Sequence, residues 1–360
     1  MVTCFTGALL VFQEEIEQAT HKSRYFVKAD GARLPITTLT GNLKQKAGEI
    51  KIVNARVYTS HERSVEITYR INKKKAKGGQ KAKGEGKKQK PEDNLRAYVN
   101  PYTGAIIELV EPKKTFFYKV LFLHRWLLAN ETGKLIVGIS TSVFLFILIT
   151  GIILWWPANK NILKQRLTIK RTAGWKRTNH DWHIVFGFYC AIFLFIFAFT
   201  GLAWSFKWFN EGIYALMGSP VKNPEPPASM MASGKKEGIA DVALSVAAAE
   251  YTNAVYYQVN FPKDDSGAMV VNVLDINAKH KTATDAIYID QYSGEKISGL
   301  KFENRSKGAR VRSYFLPIHT GAVLGMPTRI IAFIATLLGT TFPVTGIIMW
   351  WNRTRKKKRA

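Results

Sequence analysis

The chain has 360 residues, 47% of them apolar, with two cysteines and a formal charge of +26. An excess of that size invites a nucleic-acid reading, because clustered lysines and arginines neutralise phosphates. The distribution argues against it: dense clusters of cations fill a short loop and a tail beside long apolar runs, as in a membrane protein.

In chain order, residues 1–12 form an apolar run that, at ~1.5 Å per residue, covers about half of a ~30 Å hydrocarbon core. It reads as a truncated first transmembrane helix. Met1 opens directly into apolar sequence and Gln13-Glu14-Glu15 closes it, without the basic start and small-residue site of a cleaved signal. Residues 13–117 are a first polar domain, in which the alternation of Val65-Glu66-Ile67-Thr68-Tyr69-Arg70 predicts a strand with one buried face. Nine lysines between Lys73 and Lys90, spaced by Gly and Gln, read as a solvated low-complexity insertion between strands. Residues 118–156 hold an edge segment and the second spanning helix, from Leu135. Residues 157–182 are a basic loop containing Lys160, Lys164, Arg166, Lys170, Arg171, Lys176 and Arg177. The third helix is 183–206.

A second polar domain, 207–316, begins with a linker around Pro224, Pro226 and Pro227. It continues with a helix predicted over 238–251 and a strand at Met269-Val270-Val271-Asn272-Val273. Residues 317–351 carry an edge segment and the fourth helix, from Ile330, and 352–360 are a basic tail. Lys and Arg close to span ends stay cytoplasmic. That rule places loop and tail inside, against an anionic lipid leaflet, and both polar domains outside, in the periplasm of a bacterial inner membrane. Cys4 and Cys190 lie within spans, so the outer domains must fold on their own cores.

Self-comparison organises the chain. Phe5-Thr6-Gly7 recurs as Phe199-Thr200-Gly201, Thr150-Gly151-Ile152-Ile153 as Thr345-Gly346-Ile347-Ile348, and Trp155-Trp156 as Trp350-Trp351, all at an offset of 194 or 195. Tyr98-Val99-Asn100-Pro101-Tyr102-Thr103-Gly104 has its counterpart in Tyr288-Ile289-Asp290-Gln291-Tyr292-Ser293-Gly294, each a strand running into a Gly turn. The expected fold is therefore an α-helical membrane protein, a tandem repeat that builds a four-helix transmembrane bundle with its first helix truncated and two small α+β outer domains.

The seven histidines divide by position. His21, His61 and His280 lie in outer segments without metal-type spacing and read as surface or turn residues. His124, His180, His183 and His319 adjoin spans, where ionisable groups are costly and often functional. His124 precedes Thr150 by 26 residues and His319 precedes Thr345 by 26; Lys134 and Arg329 each precede the same threonine by 16. In a parallel repeat such equivalent residues can meet across an axis along the membrane normal. Two readings fit. The imidazoles are axial ligands of a haem iron with the cations near its propionates, or they are interfacial polar residues bonded to lipid headgroups. Bends near Gly133 and Pro327 are needed to bring the histidines to the membrane, since 26 residues of straight helix cover ~39 Å.

The span ends in Thr-Gly, His124-Arg125-Trp126-Leu127, Asp181-Trp182-His183, His319-Thr320-Gly321, the Trp-Trp exits and the Tyr-x-Asn/Asp-x-Tyr-Thr/Ser-Gly turns together resemble the PepSY-associated transmembrane family over nearly the whole chain. Its members include FoxB-type ferrisiderophore reductases. The resemblance implies PepSY-like periplasmic domains, one or two b-type haems as cofactor, and His124, His183 and His319 as axial ligands; His180 does not match the family's positions and is a candidate only because it lies three residues from His183 on roughly one helix face. Members usually start with a complete histidine-bearing first helix. The counterpart of His183 at the 194 offset falls upstream of Met1, which leaves an inner haem short of one ligand.

The function implied is electron transfer from a cytoplasmic or quinol donor to a periplasmic ferric siderophore, releasing Fe(II), with lipid as the surrounding partner and no nucleic acid. A non-redox membrane protein that binds peptide, protease or siderophore through its PepSY-like domains is the alternative.

Overall fold

The structure, a computed structural model, describes residues 1–71, 94–170, 172–221, 224–230, 234 and 237–357. The lysine-rich run 73–90 expected as an insertion lies outside the described residues. The first half of the chain runs α1 (Val2–Val11), α2 (Gln13–Thr20), α3 (Lys22–Tyr25), α4 (Ile36–Ala47), β1 (Ile50–Tyr58), β2 (Val65–Ile71), β3 (Leu95–Val99), β4 (Ile106–Val110), α5 (Phe116–Trp126) and α6 (Asn130–Trp155). After α7 (Lys160–Leu167) the order repeats: α8 (Trp175–Ser205), α9 (Lys207–Leu216), α10 (Ile239–Glu250), β5 (Ala254–Asn260), β6 (Met269–Asp275), β7 (Asp285–Ile289), β8 (Lys296–Leu300), α11 (Lys307–His319) and α12 (Met326–Lys357). Two compact units result, a helical one of Met1–Glu14, Phe116–Val221 and Ser306–Ala360 and a sheet one of Glu15–Thr115 and Lys222–Arg305.

In the helical unit α6, α8 and α12 are long and apolar enough to cross a membrane, while α1 has ten residues. Among the described residues three helices thus reach spanning length, and α1, expected as a truncated span, packs against α12 and α5. These helices are apolar all round, the composition of helices whose outer faces meet lipid rather than water. Phe146, Ile153 and Leu154 accordingly point outward on α6, while Cys190, Leu194 and Ala335 form a small interior where α8 meets α12.

Each histidine-bearing edge helix is separated from its span by a sharp break. Leu127, Leu128 and Asn130 all take positive φ between α5 and α6, a conformation that side chains with a Cβ rarely adopt. Gly133 closes that turn, because a Cβ there would stand 1.6 Å from the Trp126 carbonyl oxygen. Between α11 and α12 the same job falls to Gly321 and Gly325, both at positive φ. The breaks sit a few residues ahead of the positions expected from sequence.

The sheet unit differs from expectation in one respect. Instead of two separate α+β domains it is one eight-stranded antiparallel sheet in the order β4-β3-β2-β1-β5-β6-β7-β8. Each half contributes a four-stranded meander, and β1 pairs with β5 from Asn54 opposite Asn260 to Tyr58 opposite Tyr256. Pairing hides the edge strand that each half would otherwise expose. Helices α4 and α10 cover one face, and Leu39, Leu43, Ile67, Ala243, Val259, Val271 and Ile287 form a single core drawn from both halves. The Asp241 carboxylate of α10 accepts from the backbone N–H groups of Ile36 (2.5 Å) and Thr37 (3.1 Å), capping the first turn of α4. Helices α9 and α11, assigned from sequence to the second outer domain, belong to the helical unit, and the Pro224 linker follows α9.

Candidate functional site: histidines on threonine-glycine steps

The Thr-Gly pairs that mark the repeat are where the histidines dock. His124 on α5 places Nδ1 3.0 Å from Thr6 Oγ1 on α1. The corresponding contact of His319 with Thr200 on α8 is 3.1 Å, and that of His183 on α8 with Thr345 on α12 is 2.7 Å. In each case the following glycine supplies the space: a Cβ on Gly7, Gly201 or Gly346 would stand 3.3, 3.2 or 3.4 Å from the Cε1 of the docked ring. Among the described residues the fourth pair, Thr150-Gly151, bonds back into its own helix, and a Cβ on Gly151 would meet no atom within 4 Å.

His124 and His319 come together, with ring centroids 6.1 Å apart and ring planes at 69°. Around His319 stand Trp204 at 5.4 Å and Phe197 at 6.5 Å between centroids. Arg312 lies over Trp204 at 4.6 Å and is held by a 2.6 Å bond to Asn210. Metal–imidazole bonds are ~2 Å and the ring adds roughly 1 Å to its centroid. Two imidazoles holding one ion from opposite sides therefore have centroids ~6 Å apart, which the pair matches, so these residues fit the axial positions of a haem. Among the described residues no group of three or more His, Cys, Asp or Glu is placed to hold a metal ion by itself.

The other predicted residues are placed differently. His183 packs its ring against Phe342 with centroids 5.7 Å apart. His180 is exposed and turns to Asp181, 3.3 Å away. Asp181 is buried and organises the loop, accepting from Arg177 Nε at 2.7 Å and from the Lys170 backbone N–H at 3.2 Å. Lys134 pairs with Glu131 at 3.2 Å. Arg329, although equivalent to Lys134 in the repeat, is buried, donates to the Val11 carbonyl at the C-terminus of α1 and lies 5.2 Å over Phe12. That end of α1, with its unpaired carbonyls, is where a cation stabilises a helix. Arg166 in the basic loop does the same for α6, donating to the carbonyls of Leu154 (3.2 Å), Trp155 and Trp156 (3.1 Å).

Sequence reasoning treated the threonines and glycines as repeat landmarks and missed their contact with the histidines. The repeat of a hydroxyl beside a glycine marked these positions without showing what they hold, because the docked ring lies 118 residues from Thr6. His280, expected as a surface or turn residue, sits in a turn where its Nδ1 meets Thr282, but it is buried with its ring edge-on to Phe302 at 5.3 Å, and burial lowers its pKa.

On the sheet face away from α4 and α10, Glu66 is buried beneath three guanidiniums, Arg63 at 3.7 Å and Arg56 and Arg96 at 3.9 Å, with Tyr58 donating to it at 2.8 Å. Burial, reinforced by the neighbouring carboxylate, pushes the Tyr58 hydroxyl up to about 12. A cavity of about 270 Å³ opens beside this cluster, lined by Asn54, Arg56, Thr68, Arg96 and Gln258.

A helical unit with spanning-length apolar helices, joined in one chain to a duplicated sheet unit, defines a class of membrane protein with a sizeable domain outside the lipid. The family described as PepSY-associated TM region matches residues 1–353, and the chain belongs to that family. A comparison with curated proteins gives no match.

Proposed function

We propose that the protein is a b-type haem oxidoreductase of the bacterial inner membrane that passes electrons to a ferric siderophore in the periplasm. The observation that carries this reading is the His124–His319 pair, two imidazoles delivered by equivalent helices of the repeat at the separation one axial metal ion requires. Haem supplies one-electron transfer, its potential set by axial ligands, burial and hydrogen bonding. His124 and His319 would hold it, and Trp204 and Phe197 would shield the His319 side from water. Each electron reduces one Fe(III) to Fe(II), and a quinol donor giving up two electrons and two protons serves two ferric ions. The weaker grip of hard oxygen chelators on Fe(II) then releases the metal. Three guanidiniums and Gln258 around one carboxylate make the Arg56 and Arg96 cavity rich in hydrogen-bond donors, a place for the oxygen-rich surface of a ferric chelate.

The test is a visible spectrum of the detergent-purified chain, oxidised and then reduced with dithionite. The expected result is a low-spin haem spectrum whose reduced form is reoxidised by a ferric hydroxamate, with Fe(II) trapped by a chelating dye. Reduced haem that stays reduced with every ferric chelate, or a chain that takes up no haem, would overturn the reading in favour of a non-redox binding protein.

A further inference from the structure

We infer that the Thr-Gly steps at Thr6, Thr200 and Thr345 are histidine cradles that fix the imidazole as its Nδ1–H tautomer and so present the bare Nε2 as the ligand atom. Its proposed ligand, haem iron, rests on the reading above; the tautomer itself does not. The reasoning starts from the hydroxyl proton. Thr6 Oγ1 donates to the Val2 carbonyl at 2.8 Å, Thr200 Oγ1 to the Ile196 carbonyl at 2.8 Å, and Thr345 Oγ1 to the Thr341 carbonyl at 3.2 Å, the back-bonding habit of threonine inside a helix. A hydroxyl has one proton and two lone pairs. With the proton committed to the helix, the oxygen can only accept from the histidine, so Nδ1 must carry hydrogen.

At His319 a second contact requires the same answer. Nδ1 also stands 2.9 Å from the Phe197 carbonyl, a group that cannot donate. The glycine completes the device: the space beside Gly7, Gly201 and Gly346 receives Cε1, the atom between the two nitrogens. Held at Nδ1 and Cε1, the ring has one free nitrogen, and a neutral imidazole whose other nitrogen is hydrogen-bonded is a better and better-aimed metal ligand. The threonines are thus positioning residues, and Thr150-Gly151, which meets no imidazole among the described residues, is an internal control built from the same two residue types.

Two measurements on the full chain in detergent test this. In the haem-free protein with ¹⁵N-labelled histidine, the expected NMR result is the Nδ1–H tautomer for His124, His183 and His319. Thr345→Val should shift His183 most, because His319 keeps the Phe197 carbonyl when its threonine is lost. Nε2–H tautomers in the unaltered chain, or no response of His183 to Thr345→Val, would overturn the cradle. In the haem-loaded protein, the Thr6→Val and Thr200→Val double variant should bind haem at least ~10-fold more weakly. The matching serine variant should restore affinity, and Thr150→Val should leave it unchanged. Equal affinity in the valine and serine doubles, or an equal loss in Thr150→Val, would overturn the positioning role. A chain that binds no haem sinks the proposed function alone, since the tautomer is read without it.

Discussion

The two halves of the duplication are alike where their side chains meet and different where each works alone. Thr6, Gly7 and His124 in one half and Thr200, Gly201 and His319 in the other make the same contacts to within 0.1 Å. Lys134 and Arg329, equivalent by position, do unrelated work: one joins an exposed glutamate a turn away, the other is buried against the end of α1. Asn100 and Asp290 both fold a Gly turn, but only one of them can titrate. Matching contacts between the copies therefore mark the shared site, and divergent contacts mark local structure.

The largest expected effect breaks the comparison at its centre. If both halves serve one haem, His124→Ala and His319→Ala must be equally damaging, each removing one haem equivalent and its low-spin absorbance while the fold is retained. His183→Ala should leave that signal intact, because His183 docks on a different pair of helices. Haem content and spectrum of the three purified variants decide it. Unequal losses, or the same loss in His183→Ala, would separate the two imidazoles from a common ligand.

A smaller effect should appear where the halves diverge. Arg329→Ala removes a buried cation hydrogen-bonded to a helix C-terminus, a loss of about 2 kcal/mol by the usual worth of bonds to charged groups. Lys134→Ala removes only an exposed partner and should stay within about 0.5 kcal/mol. Denaturant unfolding of both variants in the same detergent measures the contrast, and equal costs would mean that Lys134 has a partner as demanding as that of Arg329.

What could be read from sequence follows from the same division. Spanning helices, strands and the repeat are written in local periodicity, so α6, α8, α12, β2, β6 and α10 were all legible in outline. The merging of two outer domains into one sheet was not, because the pairing of β1 with β5 joins Asn54 to Asn260 across two hundred residues and no local pattern announces a shared edge. The depth equivalence of His124 and His319 was visible as a spacing. Their threonine and glycine partners were not, since nothing in Thr6-Gly7 by itself points to a ring 118 residues away. Arg329 misled for a further reason: a cation ten residues after a histidine suits a propionate, and the demand of α1 for a cap appears only once the helices are packed.

The smallest effect concerns the two turns. Asn100 accepts from the backbone N–H of Tyr102 at 2.8 Å and of Thr103 at 3.3 Å, and Asp290 accepts from those of Tyr292 at 2.7 Å and Ser293 at 2.9 Å. Asp290 also takes the Met230 N–H at 2.7 Å, tying the chain after the linker to the turn. Burial tends to raise the Asp290 carboxyl, but the N–H groups of Ser293, Tyr292 and Met230 outweigh it and hold it below the usual aspartate range. A carboxyl with a lowered folded pKa binds fewer protons folded than unfolded, so its stabilisation is complete above the unfolded value of about 4 and is lost as pH falls through the folded one. Asn100 makes the same turn with no such dependence. Asp290→Asn should therefore unfold less steeply with acid below about pH 4 than the unaltered chain, at a small cost in stability near neutrality. Full-chain unfolding monitored from pH 7 to pH 3 tests this, and superimposable acid profiles would show that Asp290 is held by geometry without a charge contribution.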